Sequence, residues 1–99
     1  MAKGDVTTIL ATTTSAGNSS SFYVGPNSNV TIMTDAELVS AETADVQISY
    51  DGGTTFKDYI DTAAVELTAT INAIRLYGPA VYRVAKDATV TTTAVILQE

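Results

Sequence analysis

Eleven Asp and Glu residues against five Lys and Arg, with no histidine, cysteine or tryptophan, leave this 99-residue chain the chemistry of carboxylates, hydroxyls and phenols. Asp51, Asp58 and Asp61, with Glu42 and Asp45 nearby, form its densest set of metal-type ligands. Calcium, however, needs about six to eight oxygens converging at ~2.3–2.6 Å. These acids lack EF-hand spacing, and Asp58 and Asp61 point to opposite faces if they share a strand. They read as a solvated acidic rim. Two carboxylates can hydrolyse a glycoside, but nothing here places a matched pair, and a domain this small has little room for a deep cleft. Without Cys or His there is no disulfide, no Cys/His zinc site, no thiol nucleophile and no imidazole base. A net charge of −6 without a basic cluster argues against nucleic acid as a partner. The expectation is a protein without catalytic residues, metal or cofactor.

The sharpest local signal is Ser49-Tyr50-Asp51-Gly52-Gly53-Thr54-Thr55-Phe56. Asp-Gly and Gly-Gly between alternating segments mark a hairpin, because glycine reaches positive φ without a Cβ clash. The string resembles the Asp-box, S-x-D-x-G-x-T-W/F, of sialidase and other propeller hairpins. That resemblance implies that the Asp51, Ser49 and Thr55 side chains bond the turn and that Phe56 plugs the core, a structural role. One copy cannot build a propeller, which needs at least about four blades.

The remaining candidates suit contact, not catalysis. Phe22, Phe56 and Tyr50 sit at core parity, whereas Tyr23, Tyr59 and Tyr77 take the opposite parity, where an exposed aromatic row could stack on sugar rings or anchor a protein interface. Covered faces on both sides of some strands would account for them equally. Arg75 and Arg83 can pair bidentately across an interface, or with an acid of their own subunit. Thr12, Thr13 and Thr14 open a Ser/Thr-rich stretch that reads either as an edge strand and flexible loop or as an arm that orders against a partner.

The elements that must position these residues are strands. The 17 Thr, 10 Val and 7 Ile make about a third of the chain β-branched, a composition that packs on pleated sheets. Val65, Leu67, Ala69 and Ile71 alternate with polar residues, as do Val46, Ile48 and Tyr50. Strands are predicted near 6–13, 21–25, 29–34, 45–50, 55–60, 64–71, 74–77, 80–85 and 89–97, the last buried on both faces. A turn or bulge is expected at Asn72-Ala73 and a break at Gly78-Pro79. Thr34-Asp35-Ala36-Glu37 fits a capping box, so 36–44 is either a short helix or a loop with one turn. The pattern implies an all-β fold, a single β-sandwich of jelly-roll or immunoglobulin-like type with about eight short antiparallel strands. It divides into an N-terminal arm over 1–20 and a sandwich over 21–99. No apolar run nears the roughly 20 residues that span a bilayer, and Met1–Asp5 is not signal-like, so a soluble protein made in the cytoplasm, without membrane contact, is expected.

Val46-Gln-Ile-Ser-Tyr-Asp-Gly-Gly-Thr-Thr-Phe-Lys-Asp-Tyr, read with Ile74-Arg-Leu-Tyr-Gly-Pro-Ala-Val-Tyr-Arg-Val-Ala-Lys, resembles small tailed-phage virion proteins. Their pattern is V-x-I-x-x-S-x-D-G-G-x-T-F/W, a variable strand pair, then G-P-G-x-Y-R-V-x-K. Gly78-Pro79 and Tyr82-Arg83-Val84 match the second half, and Ala80 stands where glycine is usual. The two stretches cover about 45–86, roughly half the chain. The resemblance implies a capsid decoration (cement) protein or another virion part, such as a tail, connector or fibre module. It further implies a place on the outer capsid, the major capsid protein as partner, and a dimer or trimer. A carbohydrate-binding β-sandwich using Tyr23, Tyr59 or Tyr77 is the reading from a different class.

Overall fold

In the computed structural model, which describes residues 6–39 and 41–99, the described chain is strand, turn and loop without a helix. The strands are β1 (Val6–Thr13), β2 (Gly17–Asn18), β3 (Phe22–Val24), β4 (Asn29–Thr34), β5 (Ala44–Ser49) and β6 (Phe56–Asp58). They continue as β7 (Ile60–Asp61), β8 (Ala63–Ala64), β9 (Glu66–Leu67), β10 (Ala73–Tyr77), β11 (Ala80–Lys86) and β12 (Thr93–Gln98). One sheet runs β1-β12-β4-β10. The other runs β2-β11-β5-β6, with β3 also on β11 and β9 also on β5, while β7 and β8 form a separate small hairpin.

Every pairing is antiparallel, and the main pairings are nested. The first strand pairs with the last, β2 and β3 pair with β11, β4 pairs with β10, and β5 pairs with β6 and β9. This is the pattern of a long hairpin rolled up so that successive pairs fall in alternate sheets. Both sheets contribute to one core. Ile9, Val30, Ile32, Leu76, Val95 and Leu97 come from the first, and Val24, Ala44, Val46, Leu67, Tyr82 and Val84 from the second.

The alternation in β5, β11 and β12 arises as the sequence implies, because one face of each lies on that core. In β12, Thr93, Ala94 and Val95 are consecutively buried. The strand is central, between β1 and β4, and the Asp35 loop crosses over Ala94. The segment expected as a strand over 64–71 is different. Ala64 ends the small β7–β8 hairpin and only Glu66–Leu67 joins a main sheet, because Thr68 folds the chain back: its Oγ1 accepts from the Thr70 and Ile71 amides, leaving Ala69 and Ile71 exposed. The turn therefore precedes Asn72-Ala73. The capping-box segment makes no helix among its described residues. Thr34 Oγ1 donates to the Ala36 carbonyl, and Asp35 Oδ1 accepts from the Ala94 amide at 2.8 Å, so both side chains serve the loop. Within 1–20, the described residues enter both sheets: β1 pairs with β12, β2 pairs with β11, and Ser19 is buried.

Candidate functional site

The 49–56 hairpin is built by two side chains. Ser49 Oγ accepts from the Gly53 amide at 2.7 Å and donates to Asp51 Oδ1 at 2.9 Å. That oxygen accepts in turn from the Thr55 amide at 2.7 Å and the Thr54 amide at 3.2 Å. The Thr55 amide, helped by Ser49 and Thr54, holds the Asp51 carboxyl below its ordinary value. Gly52 and Gly53 take φ of +80° and +109°, the region that glycine enters without strain. Ser49, Asp51, Gly52 and Gly53 thus act as expected, whereas Thr55, expected to act through its side chain, serves the turn first through its backbone amide.

The aromatics depart from expectation. Phe56 pairs with Ser49 on the face of its sheet turned away from the core, and the Arg83 guanidinium lies 4.4 Å from its ring centroid. It anchors the outside of the sheet and not the core. Tyr50, assigned to core parity, lies beyond the end of β5, is 67% exposed and carries Lys57 Nζ 6.0 Å from its ring centroid. Tyr59 turns inward, its ring centroid 5.7 Å from that of Tyr82. The reason is common to all three: parity restarts wherever a strand ends. Phe22 packs at the core edge, 6.0 Å from Tyr82. Tyr82 donates its hydroxyl to the Tyr77 carbonyl at 2.6 Å, and burial raises its phenol above the ordinary value.

The outward face of the second sheet is acidic and half-buried. Arg83 Nε donates to Gln47 Oε1 at 2.7 Å, and Gln47 Nε2 donates to Asp58 Oδ1 at 3.3 Å, across the register β11–β5–β6. Arg83 is thus held by an amide and a ring, and not by an acid of its own subunit, one of the two partners expected for it. Beside them Asp45 faces Glu66 in register, two like charges opposed. Asp45 Oδ1 is buried and without a hydrogen-bond partner among the described residues. The Asp45 carboxylate, which favours the protonated form of Glu66 as a hydrogen-bond donor, together with burial and the charges of Asp45, Asp87 and Asp58, pushes the Glu66 carboxyl up.

Several side chains tie loops to strands. Buried Lys86 donates to the Ser15 and Asp87 carbonyls and to Thr89 Oγ1 at 2.9–3.3 Å. Glu42 accepts from the Val39 amide at 2.8 Å and the Val90 amide at 2.7 Å. Ser19 Oγ accepts from the Val84 amide at 2.8 Å. None of these was read from sequence. Lys86 alone left a signal: it continues the inward series Tyr82, Val84 in a strand whose alternate residues are buried.

The outward face of the first sheet is different in charge. Its four strands hold no Asp or Glu, and Arg75 is their one charged residue. Arg75 and the 63% exposed Tyr77 lie two apart on β10, on one face. Thr12, Thr13 and Thr14 lie at the end of β1 and just beyond it, where the Thr14 carbonyl accepts from the Thr89 amide. The eight interface candidates therefore do not converge. Arg75 and Tyr77 share one sheet, Tyr23 and Arg83 share the outward face of the other, Tyr59 is half-buried, and the threonines sit at the end of an edge strand. Likewise Asp51, Asp58, Asp61, Glu42 and Asp45 are dispersed. Among the described residues no three Asp or Glu gather closely enough to hold a metal ion. Compared with known protein families, with curated protein sequences and with solved structures, the chain matches none.

Proposed function

We propose that this is a non-enzymatic structural protein of a phage virion that binds and stabilises the outer capsid surface as a decoration protein, with the major capsid protein as its partner and as a homo-oligomer. The observation that carries the reading is the nested strand pairing, first with last and inward from there. Taken as two layers around the shared core, with β2 and β3 counted as one strand and β6 to β9 as another, it is the order of an eight-stranded jelly-roll sandwich. That architecture recurs in viral capsid and lectin domains. Fold likeness is an analogy and does not by itself assign an activity. The side chains add to it: Asp51, Glu42, Asp35 and Lys86 each bond backbone and brace a loop, as suits a rigid part that acts through its surface.

The test is particle-based. Near-stoichiometric co-purification of the chain with capsids, and lower resistance of particles to heat or chelator when it is removed, are expected. A chain that binds no particle, yet binds a glycan panel in a way that Tyr23→Ala or Tyr77→Ala abolishes, would replace this reading with a sugar-binding one.

A further inference from the structure

Five strands meet at one end of the molecule: β1, β4 and β11 finish there, at Thr13, Thr34 and Lys86, and β5 and β12 start there, at Ala44 and Thr93. Side chains bind the loops at this end to one another. Glu42 uses both carboxylate oxygens, Oε1 accepting from the Val39 amide at 2.8 Å and Oε2 from the Val90 amide at 2.7 Å, so it clasps the β4–β5 loop to the β11–β12 loop. Thr43 Oγ1 donates to Asp87 Oδ2 at 2.9 Å, and the Asp87 amide donates to the Thr43 carbonyl at 3.0 Å. The β1–β2 loop joins them through the Ser15 carbonyl, which accepts from Lys86 Nζ, and the Thr14 carbonyl, which accepts from the Thr89 amide. What these bonds hold up to solvent is apolar: Val39 is 46% exposed and Val90 82%. Ile71, in the turn just before β10, is exposed at the same end, since Ala73 pairs with Met33. Single exposed apolar side chains need no explanation. Two valines from distant loops, held to one carboxylate, do.

We infer that this loop end is the docking surface of the chain, with Val39 and Val90 as its anchors, and that it fits a protein partner presenting an apolar depression bordered by lysine or arginine. Charge selects that partner. The loops here hold Asp35, Glu37, Glu42 and Asp87 and no Lys or Arg among their described residues, and Lys86, at the end of β11, is buried. A basic surface is therefore attracted, and a second copy of this same end is repelled. Asp35 and Glu37 also line a depression together with Met33 and Ala73, a mixed acidic and apolar lining that suits the head and stem of a basic side chain. The clasp adds to affinity without touching the partner. Loops already fixed to one another lose less freedom on binding, so more of the gain from burying the valines is kept.

The inference rests on the proposed function for the identity of the partner, the major capsid protein, and its test separates the two. Co-sedimentation of the purified chain with particles stripped of it reads the affinity. Val90→Ser and Val39→Ser should each weaken binding about tenfold or more, the change expected when a buried valine is withdrawn from a contact. Tyr50→Ser, in the hairpin at the far end of β5, should leave binding unchanged. Added salt and Glu37→Lys should each weaken it, as attraction to a basic surface requires. Because Val90 is exposed, Val90→Ser should melt with the parent, which separates lost docking from lost folding. If the parent binds and both valine variants bind as well as it does, the docking surface is overturned and the capsid reading stands. Binding that salt strengthens would overturn the basic partner, and a parent that binds no particle would overturn both readings.

Discussion

The most exacting test of the fold is a single methyl group at Gly78, where the β10–β11 connection passes against the segment after β3. A Cβ placed on Gly78 would overlap the carbonyl oxygens of Gly25 and Val24 and lie 2.7 Å from the Val24 carbonyl carbon. These are backbone atoms with no rotamer to swing aside. Val24 is 1% exposed and its strand is paired to β11, so neither side yields without disturbing the core. Forced overpacking of this kind typically costs about 1–3 kcal/mol, and a clash with backbone on both sides belongs at the upper end. For a domain of this length, ~3 kcal/mol lowers the melting temperature by roughly 12–24 °C. Gly17 is the internal control: a Cβ there meets nothing within 4 Å, and its φ lies outside the left-handed region. Gly17→Ala should hold or slightly raise the melting temperature, since alanine restricts the unfolded chain more than glycine does. Thermal unfolding of both variants by circular dichroism reads the difference. If Gly78→Ala melts within about 2 °C of the parent, a shift well under the 4–8 °C that each kcal/mol commands, the close passage described here is wrong.

Two further tests address side-chain chemistry. Glu66 has its folded-state carboxyl raised above 4.5 by Asp45 and by burial, so its contribution is complete below pH 4.5 and is lost as pH rises through the folded value. The stability gain of Glu66→Gln over the parent, from urea midpoints, should therefore grow between pH 4 and neutrality, and a flat difference would refute the raised Glu66 carboxyl. Asp51 works in the opposite sense: its carboxyl is lowered from 3.8, so its contribution is present above that pH and lost as pH falls through the folded value. Asp51→Ala should lower the melting temperature at pH 7 and matter progressively less on acidification. Gly52→Val should also destabilise, by about 1–2 kcal/mol, since φ of +80° strains a β-branched residue. An unchanged melt for either variant would mean that the hairpin is not held as described.

What was legible in the sequence was local. The all-β class followed from the abundance of Thr, Val and Ile and from period-two alternation, which any half-buried strand must write into its own residues. The Ser49–Phe56 turn was readable because its hydrogen bonds all close within eight residues, through groups adjacent in the chain. The Gly78-Pro79 break followed in the same way, and so did a C-terminal strand, although it begins at Thr93 and not near 89 and is covered on both faces only over Thr93, Ala94 and Val95.

Only the tertiary structure decided which strands are neighbours, and with that everything that depends on two distant segments. Alternation labels two faces of a strand without saying which one is inward after a turn, so Phe56 and Tyr50 came out and Tyr59 went in. The Lys86 ammonium is acceptable in the interior because Ser15, 71 residues earlier, brings a carbonyl to it, and Glu42 braces an amide 48 residues away. The acid-free sheet is the largest such case. β1, β4, β10 and β12 are scattered along the chain among acidic strands, and they become one sheet whose strands carry a single arginine and no acid because nested pairing sorts alternate strands into opposite sheets.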